Sequence, residues 1–196
     1  MLIQTMLILL LMTTSGRAAS AEGLMIDPSF GGNPGWDDGL AEVAVYDAHR
    51  TVYGVDRSFQ TTLITVKEDF DAAKAVKADA PLDGRPIITV LKLNILSRIP
   101  TENYEYSYMT SIFAKRDDLR VLVKAANSSQ EWCGTTFKEI VTWDGAPRLQ
   151  FHSYFDSQAD GAHPIHLDAR TLLEDQLLLV MRAASADGES SRLAIH

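Results

Sequence analysis

The chain contains a single cysteine, Cys133, whose side chain could act as a nucleophile. A cysteine nucleophile needs a nearby base that removes the thiol proton. His152 is predicted to lie on the following strand, where it could face Cys133 across a hairpin and attack an acyl or amide bond. A lone cysteine beside Trp132 is more typical of a small buried hydrophobic residue, and this interpretation is favoured. With one cysteine, no intramolecular disulfide can form.

Two histidines separated by two residues occur in a loop-like segment that is rich in carboxylates. The group comprises His163, His166, Asp156, Asp160 and Asp168. Imidazole and carboxylate groups in one loop could bind zinc or copper. Pro164 disfavours a helix that would place the imidazoles one turn apart, and the chain has no H-E-x-x-H motif. Ordinary loop polarity is the simpler explanation, so the sequence predicts neither a metal nor a cofactor.

Three tyrosines alternate along one predicted strand, at Tyr104, Tyr106 and Tyr108. Alternate residues of a strand project from the same face, so these rings should form a row. Such a row could bind a sugar, a peptide or an apolar ligand, because tyrosine has a flat apolar ring with a polar tip. The predicted ligand-binding surface adds Trp132, Trp143 and Tyr154 to this row. The alternative is an ordinary tyrosine-rich sheet face packed by cross-strand pairs.

Short β-type runs separated by turn signals must position these side chains. The runs span residues 41–46, 59–66, 87–95, 104–113, 119–125, 137–143 and 149–155. Runs of this length predict an antiparallel sheet, sandwich or barrel. The last two form the clearest hairpin, because Asp144-Gly145 between them supplies the positive φ of a tight turn.

Two segments predict helices instead of strands. Residues 69–80 are rich in Ala, Lys and Asp, whereas residues 168–184 carry apolar side chains at helical spacing behind Asp168 as a cap. The predicted fold class is therefore mainly β: a curved antiparallel sheet, sandwich or half-barrel with one or two helices packed on it.

The N-terminus has the layout of a secretory signal peptide. An apolar run from Leu7 to Met12 is followed by small and polar residues that end at Ala21, although no Lys or Arg precedes the run. A membrane anchor needs roughly 20 apolar residues, and Thr13 interrupts the run too early. The predicted organisation is a signal peptide at 1–21, an irregular lead-in at 22–39, one β-rich domain at 40–184 and a polar tail at 185–196. The mature chain is then periplasmic or secreted, without a stable membrane span.

The charge balance is acidic, with a formal net charge of −8 and a pI near 5.0. Nucleic acids and anionic membrane surfaces attract basic patches, so neither is an expected partner. The sequence also lacks a P-loop, a G-x-G-x-x-G after a strand and a G-x-S-x-G elbow. The common phosphate, dinucleotide and hydrolase functions are therefore not supported.

Three segments carry a resemblance to other proteins: Glu68-Asp69-Phe70, Tyr108 to Ser111 and Ser128 to Gly134. The resemblance includes these segments and spans about residues 40 to 180. It is to a group of uncharacterised secreted bacterial proteins, some labelled "septum formation inhibitor Maf". True Maf proteins look like cytosolic nucleotide pyrophosphatases with an S-x-S-P-R-R-type motif near the N-terminus, and this chain has no such motif. The resemblance therefore implies export but no catalytic residues.

These observations favour an exported, non-enzymatic binding module whose sheet and helix hold an apolar or envelope-derived small ligand. Half-barrel envelope carriers look similar in broad architecture, by fold-level analogy only. The first alternative is an envelope hydrolase or transferase that uses Cys133 and His152. The second is a cell-envelope interaction protein. An exposed apolar patch or an unprotected edge strand would indicate this function.

Overall fold

The computed structural model describes residues 26–79, 84–142, 146–156, 158–167 and 171–184. The predicted signal peptide, the polar tail, Trp143, the Asp144-Gly145 turn and Asp168 lie outside these residues. Within the described ranges the strands form one nine-stranded sheet, and every neighbouring pair is antiparallel. The predicted fold class, mainly β with short helices packed on an open antiparallel sheet, is confirmed.

Apart from one short strand, neighbouring strands in the sheet follow one another along the chain. The strands are β1 Glu42–Val52, β2 Val55–Asp71, β3 Val76–Lys77, β4 Ile87–Pro100, β5 Glu105–Lys115, β6 Leu122–Glu131, β7 Gly134–Val141, β8 Arg148–Ser153 and β9 Gly161–Pro164. The sheet order is β1-β2-β4-β5-β6-β7-β8-β9, and β3 pairs with β2. The helical elements are α1 Pro28–Gly32, a 3₁₀ turn Pro34–Asp37, α2 Glu174–Val180 and a 3₁₀ turn Met181–Ala183.

The strand register divides the side chains between two faces of the sheet. Leu93, Ile112, Ala125 and Ile140 lie opposite one another across β4, β5, β6 and β7. These side chains pack with Leu172, Leu173, Leu179 and Val180 in the main core, so we call this the helix-side face. The other side, which we call the open face, carries a row formed by Leu96, Met109, Ser128, Phe137 and His152.

The helix predicted over residues 69–80 is wrong for the described residues 69–79. Residues 69–71 continue β2, and residues 76–77 return beside them as β3. Phe70 is fully buried with Val90 and Val123 in a small second cluster on the open face. Burial of this ring requires an extended backbone here, and the tertiary contact overrides the helix propensity of the neighbouring Ala and Lys residues.

The C-terminal helix exists but is shorter than predicted, since it begins at Glu174 and ends at Val180. Leu173 before it is extended, with φ −77° and ψ 145°, and its side chain enters the core from that conformation. Gln176 is fully buried, and its Nε2 donates to the carbonyl oxygens of Leu119 at 2.7 Å and Arg120 at 3.1 Å. No helix in the described ranges is long and apolar enough to cross a membrane.

The segment predicted as an irregular lead-in contains α1 and a 3₁₀ turn that pack on the helix-side face. Phe30 and Trp36 contact the main core, and their rings meet edge to face at 5.6 Å. Arg116 binds both carboxylate oxygens of Asp37 at 2.7 Å, and its Nε donates to the Gly31 carbonyl oxygen at 2.7 Å. This segment is therefore tied to the sheet by both apolar and charged contacts.

Candidate functional site

An open cleft lies over β6, β7 and β8, with a volume of about 470 Å³. The residues that line it are Ser128, Ser129, Gln130, Thr135, Thr136, Phe137, His152, Ser153, Tyr154 and Asp160. Six of these ten residues carry a side-chain hydroxyl group, and two, Phe137 and Tyr154, carry a six-membered aromatic ring. Small-molecule sites fall in this volume range and combine aromatic surface with a few polar groups.

The register of three strands creates the cleft. Phe137 lies between Ser128 on β6 and His152 on β8, and 39 % of the Phe137 side chain is exposed. Tyr154 follows β8 directly and is 72 % exposed. A Cβ atom at Gly134 would overlap the Tyr154 ring, so glycine at this position allows the ring to lie against the β6–β7 turn. Two aromatic rings are thus presented to solvent on the same face as the hydroxyl groups of Ser128 and Thr135.

Hydrogen bonds of Thr136 and Ser153, whose side chains lie on the helix-side face, support the strands beneath the cleft. Thr136 Oγ1 and Ser153 Oγ are 3.1 Å apart, and the Ser153 amide donates to Asp160 Oδ1 at 3.1 Å. Ser153 Oγ also donates to Gln158 Oε1 at 3.2 Å. His152 Nδ1 lies 3.6 Å from Asp160 Oδ1, which is beyond hydrogen-bond distance. The cleft therefore offers neutral donors and acceptors and one carboxylate, without a tightly held acid–base pair.

The structure does not bring Cys133 and His152 together. Cys133 is exposed in the turn between β6 and β7, and its Sγ lies 3.1 Å from the Oη atom of Tyr104. His152 is opposite Phe137, which is four residues beyond Cys133 along the chain. At roughly 3.3 Å per residue this offset amounts to about 13 Å. The thiol thus lacks the histidine contact that would activate it as a nucleophile.

The predicted tyrosine row lies on the helix-side face, and two of its rings are packed there. Tyr106 and Tyr108 are only 3 % and 9 % exposed and form a third apolar cluster with Ile99. Tyr104 is half-buried and stacks on Trp132 with ring centroids 5.5 Å apart. Of the described residues in the predicted ligand-binding set, Tyr154 alone lines the cleft. Trp143 lies outside the described residues.

A hydrogen-bonded group of phenols sits at one end of this row. Tyr53, in the β1–β2 turn, hydrogen-bonds through its hydroxyl to Tyr106, whose Oη is 3.5 Å from that of Tyr104. The hydrogen bond to Tyr106, followed by burial, raises the pKa of Tyr53 to about 12. Burial is the main cause that raises the pKa of Tyr106 to about 12. These phenols are therefore neutral at physiological pH, and the group supplies no phenolate nucleophile.

The two predicted metal-binding histidines are separate in the structure. His163 lies on β9 opposite Leu149, and its ring contacts Phe151 with centroids 5.5 Å apart. His166 is exposed beyond the end of β9. Across the described ranges, no group of three or more His, Cys, Asp or Glu side chains is placed to hold a metal ion.

The space between α2 and the sheet is nearly filled where it is lined by Thr110, Asn127, Lys138 and Asp175. Its volume there is about 10 Å³, which is about the space that one water molecule requires. Burial raises the pKa of Asp175 and lowers the pKa of Lys138, because the charged form of each is poorly solvated. A small apolar ligand does not fit at this point between helix and sheet.

No protein-family model, curated protein or solved structure matches the chain. The resemblance to the secreted proteins with the Maf label stays a prediction.

Phe137, Ser128 and Gln130 line the cleft but were not predicted as site residues. A signal for them is present in the sequence, because Ser128-Ser129 and Thr135-Thr136 stand on either side of the Trp132-to-Gly134 turn. In a hairpin these hydroxyl pairs become neighbours, as the pairing of Ser129 with Thr136 shows. Small hydroxyl side chains flanking a tight turn would therefore have indicated a polar surface at this end of β6 and β7.

Proposed function

We propose that this protein is an exported, non-enzymatic ligand-binding module whose ligand occupies the cleft over β6, β7 and β8. The observation that supports this function is the presence of two exposed aromatic rings, Phe137 and Tyr154, beside the open-face hydroxyl groups of Ser128 and Thr135 in a cleft of about 470 Å³. The signal-peptide layout at residues 1–21 supports export to the periplasm or beyond.

The ligand class that fits this lining is an envelope-derived saccharide. Aromatic rings pack against the apolar faces of sugar rings, while hydroxyl, amide and imidazole groups exchange hydrogen bonds with sugar hydroxyls. No Lys or Arg is among the residues that line the cleft, and Asp160 is acidic, so a phosphate-rich ligand is disfavoured. An acyl chain would need an apolar cavity, whereas the space lined by Thr110 and Asp175 under α2 is about 10 Å³.

The experiment is isothermal titration calorimetry of the purified chain with soluble oligosaccharides of the envelope type, and separately with a fluorescent fatty acid. Phe137→Ala and Tyr154→Ala should each weaken saccharide binding by about tenfold, which corresponds to about 1.4 kcal/mol. Trp132→Ala is the matched control, because it removes an aromatic ring that is 82 % exposed and stacks on Tyr104 outside the cleft. Its saccharide affinity should equal that of the wild type.

Three outcomes would contradict the proposal. Loss of binding in Trp132→Ala with normal binding in Phe137→Ala would move the site to the tyrosine row. Tight fatty-acid binding without saccharide binding would refute the ligand class. Loss of a hydrolytic activity in Cys133→Ser would support the enzymatic alternative and refute a non-enzymatic role.

A further inference from the structure

Within the described residues, β1 lies at the edge of the sheet and has no partner on its outer side. Among the described strands β1 pairs only with β2, in an uninterrupted register from Glu42 opposite Thr65 to Val52 opposite Val55. Its eleven residues include no proline, lysine or bulge, which are three of the features that protect an edge strand, although they include the charged residues Glu42, Asp47 and Arg50. The opposite edge differs, since β9 has four residues and contains Pro164.

The hairpin turn determines which backbone groups of β1 face outward. Tyr53 and Gly54 have φ values of 54° and 76°, so the two-residue turn has the positive angles of type I′. Such a turn is closed by a hydrogen-bonded pair, here Val52 and Val55, and hydrogen-bonded pairs alternate along an antiparallel ladder. The even-numbered residues of β1 therefore bond to β2, and the N–H and C=O groups of the odd-numbered residues 43–51 point away from the sheet.

We propose that a second copy of this chain pairs with β1 in an antiparallel arrangement, so that one sheet continues through a two-fold symmetric dimer. A two-fold axis perpendicular to the sheet brings the same strand of each copy together, so both chains contribute the same residues to the contact. The proposed axis passes beside Tyr46, which then faces the partner's Tyr46. The same register places Glu42, whose carboxylate is bound by Arg182 of its own chain at 2.6 Å, opposite the partner's Arg50. Glu42 would then lie between two arginines, and symmetry repeats this pair at the other end of the contact.

Charge complementarity selects this register over its neighbour. Complete overlap of the two β1 strands would place Asp47 directly opposite the partner's Asp47, and like charges facing each other across a strand pair are destabilising. A shift of two residues removes that contact and creates two Glu42–Arg50 pairs. Val45 and Tyr46, each 55 % exposed in the single chain, then lie at the centre of the interface. This inference is independent of the cleft and its ligand.

The first test is sedimentation velocity over a series of protein concentrations. The wild type should show a reversible monomer–dimer equilibrium. Val45→Pro removes an outward-facing N–H without removing a hydrogen bond to β2, and it should raise the dimer dissociation constant at least tenfold, as should Val45→Lys. Far-UV circular dichroism verifies that both variants keep the sheet. A sedimentation coefficient of a single chain at every concentration would overturn the proposal.

The second test examines the register by charge reversal. Arg50→Glu should weaken the dimer by about tenfold. In that variant, Glu42→Arg combined with Arg182→Glu, which keeps the ion pair between residues 42 and 182, should restore the wild-type constant to within about twofold. Arg98→Glu makes the same charge change at a residue on β4 and should have no effect. Amide hydrogen exchange should show Val43, Val45 and Asp47 protected only at concentrations where the dimer forms. A dimer with freely exchanging amides at these residues, or failure of the charge reversal to restore it, would overturn the proposed interface.

Discussion

The helix-side face and the open face arise from the same strands, yet they differ in what covers them. On the helix-side face Leu93 and Ile112 are 1 % and 0 % exposed beneath Leu179 of α2. On the open face Met109 and Phe137, in the same row of side chains, are 44 % and 39 % exposed. Because side chains alternate along each strand, one face can supply the core while the other remains free to bind. Stability and binding should therefore respond to different residues.

The open face is covered at one corner, which shows what closure of this face looks like. Phe70, Val90 and Val123 are buried there beneath the segment that follows β2. Lys124 fastens this segment, since its Nζ donates to the carbonyl oxygen of Ala75 at 3.0 Å and also binds Glu139 at 2.7 Å. Among the described residues no comparable contact covers Phe137, so the open face is accessible at the cleft.

The largest expected difference between the faces is in the free energy of unfolding that is lost when an apolar side chain is truncated. Leu93→Ala should lower the free energy of unfolding by about 2–5 kcal/mol, because it leaves a cavity in the main core. Met109→Ala on the open face should change it by less than about 0.5 kcal/mol. Urea unfolding followed by circular dichroism measures both. Equal losses for the two variants would show that the open face is also part of a packed core.

A second, smaller effect concerns the polar contact that fixes α2 to the helix-side face. Gln176→Leu removes the donors to the Leu119 and Arg120 carbonyl oxygens and leaves these oxygens without this partner. The expected loss is about 1–3 kcal/mol in the free energy of unfolding. Gln150→Leu is the control, since Gln150 is exposed on β8. If both variants unfold at the wild-type urea concentration, α2 is held by apolar contacts alone.

The smallest of the three effects is a pH dependence that involves the lead-in segment. The hydrogen bond from Arg116, and then that from Lys67, lowers the pKa of Asp37 from 3.8 to about 2. A lowered folded-state pKa adds stability above the unfolded value, and this contribution disappears as the pH falls from about 4 to about 2. Asp37→Asn should flatten that part of the stability profile, whereas Asp117→Asn should not. An unchanged profile in Asp37→Asn would mean that this ion pair does not form in solution.

The mainly β fold and the hairpin of β7 and β8 could be predicted because strand alternation is a local property of the sequence. Residues 59–66 and 87–95, predicted as strands, lie within β2 and β4. The helix predicted at residues 69–79 was wrong because the contact that decides the conformation there is not local. Ala and Lys favour a helix locally, but Phe70 reaches its buried cluster only from an extended strand, and that requirement depends on residues distant in sequence.

The cleft could not be predicted, because it depends on the register among three strands. Ser128, Phe137 and His152 become neighbours only when β6, β7 and β8 are aligned as observed. The same limit affected the catalytic hypothesis. Cys133 was expected to face His152 across a hairpin, but it lies in the β6–β7 turn while His152 lies on β8 opposite Phe137. That offset follows from turn and strand lengths that residue types do not reveal.

The assignment of binding to the open face is tested most directly by ¹⁵N-resolved NMR during titration with an envelope-type oligosaccharide that binds in calorimetry. If the open face is the binding face, the largest amide shifts should lie at the cleft residues of β6, β7 and β8, including Ser128, Phe137 and Tyr154. Amides near Leu93 and Leu179 in the main core should not move. Shifts concentrated at Tyr104 and Trp132, or distributed through the main core, would contradict the assignment of binding to the open face.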